Sequence, residues 1–121
     1  MFVRNLGKAE AFDTKDGSEI RSLLDLSCAP VKAQSLAEAT LKPGASTARH
    51  RHSKTEEFYY ITQGRALMEL DGETRELGLA DAILIPAGSS HKITNIGTDL
   101  LKILCCCAPP YSHEDTELLE K

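Results

Sequence analysis

The chain has 121 residues, with 14 basic and 18 acidic side chains and a formal net charge of −4. This length fits one domain over 1–121, enough to bury roughly two-thirds of the surface an unfolded chain exposes. The acidic balance and the lack of a basic cluster exclude the electrostatic footprint of a nucleic-acid binder, and no apolar run approaches the roughly 20 residues of a membrane span.

The opening MFVRNLGKAEAF lacks the long apolar core of a signal peptide, so a cytoplasmic protein is expected. The four cysteines do not form a disulfide framework: Cys105, Cys106 and Cys107 are consecutive and Cys28 is remote. A reducing compartment is the simpler setting for them.

Met1 to Phe12 reads as an irregular or edge strand, and Asp13 to Ser18 as a turn. Glu19 to Leu26 fits a strand or a short helix; the β character of everything downstream favours strand. Ala29-Pro30 breaks it. Lys32 to Leu41, KAQSLAEATL, has helix-friendly composition, but Pro43-Gly44 closes it abruptly.

A polar stretch with His50 and His52 follows, then turn residues Ser53 to Thr55 and a β-branched, aromatic run from Phe58 to Thr62 that Gly64 ends. The next strand runs to Leu70, and Asp71-Gly72 is a hairpin signal leading to a return strand, Glu73 to Leu77. Gly78 to Asp81 turns, and Ala82 to Ile85 reads as a short buried strand. Pro86 to Ser90 turns again, and His91 to Asn95 is a strand. A long apolar strand from Leu100 to Cys107 is ended by Pro109-Pro110. The 109–121 segment reads as a strap or tail. Ser112 followed by Asp115 resembles a helix start, and a flexible acidic tail fits equally well. Short strands at this spacing predict an all-β sandwich or barrel.

Alternation on a strand puts His50 and His52 on one face and Arg49 and Arg51 on the other. Arginines are rarely buried unpaired, so the histidines are expected to face inward. Imidazoles about 7 Å apart along a strand can converge on one ion. Five positions separate His52 from Glu57, so a turn must intervene, and an antiparallel return would set Glu57 beside the histidines. Imidazoles plus a carboxylate suit iron, manganese, nickel, cobalt, copper or zinc better than calcium or magnesium. Taken singly, each of these residues also fits a solvated loop or turn.

Gly44, His50, His52, Glu57 and Gly64 have the spacing of the first motif of the cupin superfamily, which this chain resembles. Pro86, Gly88, His91 and Asn95 fill the second motif, whose leading glycine is Ala80 here. The motifs occupy 44–64 and 80–95. The resemblance implies a double-stranded β-helix, the jelly-roll cupin barrel, and makes Lys32 to Leu41 a strand. It also brings His91 to the first three residues, so that His50, His52, Glu57 and His91 hold one divalent transition metal with about two positions open. Open positions are what a reactive metal needs. The segment from Cys105 to Thr116 is similar to the tail of small single-domain bacterial cupins.

Activities implied by the resemblance are those of a dioxygenase, isomerase, lyase or cyclase on a small oxygen-rich substrate, or of a non-catalytic sensing module. Tyr59 shares parity with Glu57 and is the candidate for proton transfer; a packed core tyrosine is the plainer reading. Met68 is either a core residue or part of the cavity wall. Parity turns Cys105 and Cys107 inward and Cys106 outward, as small buried hydrophobes. Tyr111 and His113 are expected to strap one barrel mouth, and Asn95 to make a supporting hydrogen bond. Cupins often pair, so a homodimer is expected through an outer face of Phe58, Tyr60 and Ile20.

Overall fold

The structure is a computed structural model and describes residues 1–120. A 3-10 turn at Leu6–Lys8 precedes eleven strands. These are β1 (Ala11–Asp13), β2 (Glu19–Leu24), β3 (Ser35–Leu41), β4 (His50–His52), β5 (Glu56–Gln63), β6 (Ala66–Leu70), β7 (Glu73–Leu77), β8 (Ala82–Ile85), β9 (His91–Asn95), β10 (Leu101–Ala108) and β11 (Thr116–Leu118). They form two antiparallel sheets, ordered β1-β2-β3-β10-β5-β8 and β11-β4-β9-β6-β7. This is the all-β jelly roll, or double-stranded β-helix, expected from the motifs. Among the described residues, no helix is long and apolar enough to cross a membrane.

The core lies between the sheets and draws on both. Leu41, Tyr59, Ile61, Ile85, Leu101 and Ile103 come from one sheet, and Ala66, Met68 and Ile93 from the other. Strand periodicity decides who enters it. Along β5, Glu57, Tyr59 and Ile61 are buried while Phe58 and Tyr60 stand exposed. Along β3 the helix-friendly composition loses to pairing, because β2 and β10 supply ladder partners on both edges.

Four expectations are corrected. β4 and β5 do not form a hairpin: they belong to opposite sheets, so Glu57 faces the histidines across the interior instead of lying beside them. The turn at Ser53 to Thr55 therefore carries the chain from one sheet to the other. β8 is an edge strand in which only Ile85 is buried. The tail is neither helix nor loose, since Thr116–Leu118 pairs with β4 as a further edge strand. Ile20 packs against the core and lines the inner cavity, leaving Phe58 and Tyr60 on the outer face with Leu84.

Asp71 and Gly72 both have positive φ and close a two-residue hairpin between β6 and β7. Gly64 also has positive φ, 94°, and an added Cβ would meet the Leu100 carbonyl oxygen at 3.0 Å. That close approach lets β10 run past the end of β5. Asn95 is buried and fastens its own turn: Nδ2 donates to the carbonyls of Leu41 and Asp99, and Oδ1 accepts from Gly97 N–H.

Ala80, where the second motif leads with glycine, has a φ of 70°. A side chain in this left-handed region is strained, and Ala80 is exposed with no packing to offset the strain. Ala80→Gly is therefore expected to stabilise the protein by about 0.5–1 kcal/mol after the greater freedom of unfolded glycine is subtracted. Paired denaturant titrations test this, and a less stable variant would contradict it.

Candidate metal centre

His50 and His91 are direct cross-strand partners on β4 and β9, with ring centroids 4.1 Å apart. His52, two positions along β4, turns to the same face, with its ring 5.2 Å from that of His50 and 5.5 Å from that of His91. All three are buried, and one ring nitrogen from each lies within 4.8 Å of the other two. They are therefore positioned to chelate a metal ion. Glu57 approaches from β5 in the opposite sheet. Its Oε1 lies 3.4 Å from His52 Nε2 and 3.6 Å from His91 Nε2.

Hydrogen-bond partners fix which nitrogen of each ring faces the centre. His50 Nδ1–H donates to the Ala48 carbonyl at 2.7 Å, and His91 Nδ1–H to the Ser89 carbonyl at 3.1 Å. His52 Nδ1 meets Thr116 Oγ1 at 3.1 Å, and that hydroxyl spends its proton on the Ser112 carbonyl at 2.9 Å. Thr116 thus accepts from His52 Nδ1–H. In the neutral rings, every Nε2 is left with a lone pair.

Those lone pairs meet a carboxylate. Glu57 Oε1 and His91 Nε2 are buried and have no hydrogen-bond partner among the described residues. Buried acceptors facing acceptors cost about 1–3 kcal/mol per unsatisfied group. A cation between them removes that cost. Ligands at right angles around an ion with bonds of about 2.1 Å lie about 3 Å apart, so the 3.4 and 3.6 Å separations need close by only a few tenths of an ångström. The donor set fits a borderline transition metal.

Burial works to raise the Glu57 carboxyl, but hydrogen bonding and positive charge at His52 and His91, present when their Nε2 atoms carry protons, outweigh it and hold it at about 2. With those nitrogens unprotonated, a cation at the same point would supply that positive charge instead. Burial, aided by the neighbouring His91, keeps the His50 imidazole below its ordinary 6.5, while Asp16 pulls the other way.

Tyr59 is buried, lines the cavity, and sets its ring edge-on to His91 at 6.0 Å. Burial and then the Glu57 charge push its phenol well up. Cys105 and Cys107 line the same cavity, as parity predicts, and Cys106 lies in a groove on the outer side. Cys107 Sγ donates to Glu57 Oε2 at 3.3 Å. Burial and the Glu57 charge push the Cys105 and Cys107 thiols up, so both stay protonated. Met68 is a core residue and lines a different groove.

Tyr111 reaches the cavity, edge-on to His52 at 5.8 Å, and its hydroxyl pairs with His113 Nδ1 at 3.1 Å. Three neighbours of the site are absent from sequence reasoning: Thr116, Cys107 as the partner of Glu57, and Asp16, whose Oδ2 lies 3.4 Å from His50 Nε2. Asp16 comes from the β1–β2 turn, and nothing in DTKDGS separates it from any polar turn.

Residues 37–107 match the cupin domain family. An uncharacterized protein of Methanocaldococcus jannaschii is 53% identical over 93% of this chain and 90% of its own length. The polyketide synthase protein CurC of Streptomyces cyaneus is 30% identical over 85% of this chain and 70% of its own. Among solved structures, a predicted oxalate decarboxylase of Thermotoga maritima superposes with a TM-score of 0.76 and 28% identity, covering 89% of this chain and 98% of that one. With its two motifs complete but for Ala80, its paired sheets and more than half its length matched, the chain belongs to the cupin domain family.

Proposed function

We propose that this protein is a mononuclear metal enzyme acting on a small, oxygen-rich metabolite, with His50, His52, Glu57 and His91 as the metal ligands. The observation that carries this reading is the convergence of imidazole lone pairs and a buried, unpartnered carboxylate oxygen at one point of an internal cavity. A divalent transition ion held there would supply Lewis acidity and, if redox-active, chemistry with dioxygen.

The chain's own residues supply the rest. Ala48, Ser89 and Thr116 hold the rings in one tautomer, and Cys107 holds the far oxygen of Glu57. Ile20, Ala39, Leu41 and Ile103 give the cavity apolar walls that exclude water. Tyr59, kept neutral, can donate a hydrogen bond to a bound oxygen but is a poor base. The cavity has room of about 60 Å³, enough for only a few waters. That favours a short carboxylate, diketone or enediol over a multi-ring compound. A homodimer through the exposed Phe58, Tyr60 and Leu84 belongs to the same reading.

A non-catalytic sensing module is the second reading. It is favoured by one observation: burial and the Glu57 charge hold the phenol and both inward thiols protonated, so none of these groups supplies a free base near neutral pH.

Metal analysis followed by oxygen uptake and metabolite panels tests the choice. Oxygen consumption with a diketone supports an oxygenase, and isomerisation or water loss without it supports a non-redox enzyme. Tight ligand binding with no turnover favours the sensor. For the enzyme, Tyr59→Phe is expected to lower kcat by about 100-fold or more if the phenol transfers a proton, and unchanged kcat would remove Tyr59 from the mechanism.

Metal is also expected to stabilise the fold. At a free concentration 100 times Kd, Mn(II) or Co(II) should add about 2.7 kcal/mol to unfolding, read as a rise in Tm that a chelator reverses. Glu57→Gln should need at least about 10-fold more metal for the same rise, while its metal-free form melts no lower than wild type, because an amide N–H then meets the lone pairs. A Glu57→Gln protein with wild-type metal affinity would contradict the ligand set.

Acid should release the ion. Only neutral imidazole binds metal, and burial holds His50 neutral at pH 7. Protons therefore compete at His50 only below its ordinary 6.5. Affinity for Co(II), followed by its absorption, is expected to fall as pH drops below that value. Affinity that rises on acidification would contradict the assignment.

A further inference from the structure

We propose that Asp16 is a fifth protein donor to the ion, contributing its Oδ2 beside His50 Nε2. This rests on the metal reading above. Two features of the Asp16 carboxylate point to it. Oδ1 is fully engaged, accepting from Thr14 Oγ1 at 2.7 Å, Ser18 N–H at 2.9 Å and Ser18 Oγ at 2.7 Å. Those bonds explain Asp16 as a turn residue, but they leave Oδ2 unexplained. Oδ2 is aimed at His50 Nε2, 3.4 Å away. Because His50 Nδ1–H is used on Ala48, that contact sets a carboxylate oxygen against a nitrogen lone pair.

The same opposition recurs at Glu57 Oε1 with His52 and His91. Each carboxylate meets the imidazoles from a different element, and a cation held by the three clustered rings would relieve both contacts if the two carboxylates close on it. The 3.4 Å separation equals that between Glu57 Oε1 and His52 Nε2, the shorter of the two Glu57 contacts.

The turn bearing Asp16 is also tied to the centre. Its backbone carbonyl accepts from Ala48 N–H at 2.6 Å, just before β4. The neighbouring Lys15 Nζ donates to the Thr116 carbonyl at 2.8 Å, on the residue that orients His52. Asp16 is mostly buried, with a side-chain exposure of 16%, and it lines the cavity. It is therefore held over the site by the segments that carry and brace the histidines. Two carboxylates would balance the charge of a divalent ion, and five donors would leave one position open on a six-coordinate one. Added carboxylate also moves the preference toward manganese and iron and away from softer ions.

The test compares full-length wild type with Asp16→Asn, both stripped by chelator. Asparagine keeps the Oδ1 acceptor for Thr14 and Ser18 but puts an N–H donor where Oδ2 was. Each protein is titrated calorimetrically with Mn(II), and the Co(II) form of each is examined by absorption. Wild type should take up one equivalent. Asp16→Asn should bind Mn(II) about 10–100-fold more weakly, and its Co(II) bands should intensify as the coordination number falls. Its metal-free form should melt no lower than wild type, since a repulsive contact has become a hydrogen bond. Equal affinities, or weaker binding with an unaltered Co(II) spectrum, overturn the inference and leave the four-ligand site standing. A wild type that takes up neither ion overturns both.

Discussion

The site depends on a single electrostatic opposition, of lone pairs facing lone pairs in a buried space. Three imidazoles have their Nδ1–H groups committed outward, and a carboxylate arrives from the other sheet with an oxygen that finds no donor. Protein interiors rarely tolerate such an arrangement without compensation. The outward partners make it persist. If His91 could turn its Nδ1–H inward, it would satisfy Glu57 and remove the need for an ion. The Ser89 carbonyl holds that proton in place.

Strand register supplies this order. His50 lies opposite His91, His52 opposite Thr116, and Glu57 opposite Cys107. Each donor residue thus has as its cross-strand neighbour either another donor or the group that orients it. A slip of one residue in any of these ladders would turn the side chains to the other face. The edge strand β11 therefore matters beyond its three residues. Asp115 accepts from the backbone N–H groups of Lys54 and Thr55 in the sheet-crossing turn, and Thr116 braces His52. The end of the chain fixes both the ring and the turn leading to Glu57.

What could be read from the sequence follows from the range of each signal. Alternation acts over two residues, so the inward facing of His50 with His52, of Glu57 with Tyr59, and of Cys105 with Cys107 was legible. Sheet membership is a long-range property, and parity does not reveal it. Hence Glu57 was expected beside the histidines when it stands across from them. Thr116 was hidden because a three-residue edge strand has too little pattern to distinguish it from a tail. Asp16 was hidden because its turn chemistry is ordinary, and only the fold brings it 34 positions along the chain to His50. Ala80 was recognised as a departure in a turn, but its positive φ shows that the backbone keeps a glycine-like conformation without the glycine.

The cysteines show how the centre limits its own chemistry. Three consecutive thiols beside a metal site suggest reactivity, yet thiolate is the reactive form. Burial comes first in holding these thiols protonated, and the Glu57 charge adds to it. A buried carboxylate is a poor neighbour for a thiolate. The Glu57 charge therefore quiets the thiol beside it, and Cys107 serves as a hydrogen-bond donor to Glu57 Oε2. That bond occupies one carboxylate oxygen and leaves Oε1 to face the histidines. The phenol and thiols of the cavity wall, kept protonated, are then left as hydrogen-bond donors.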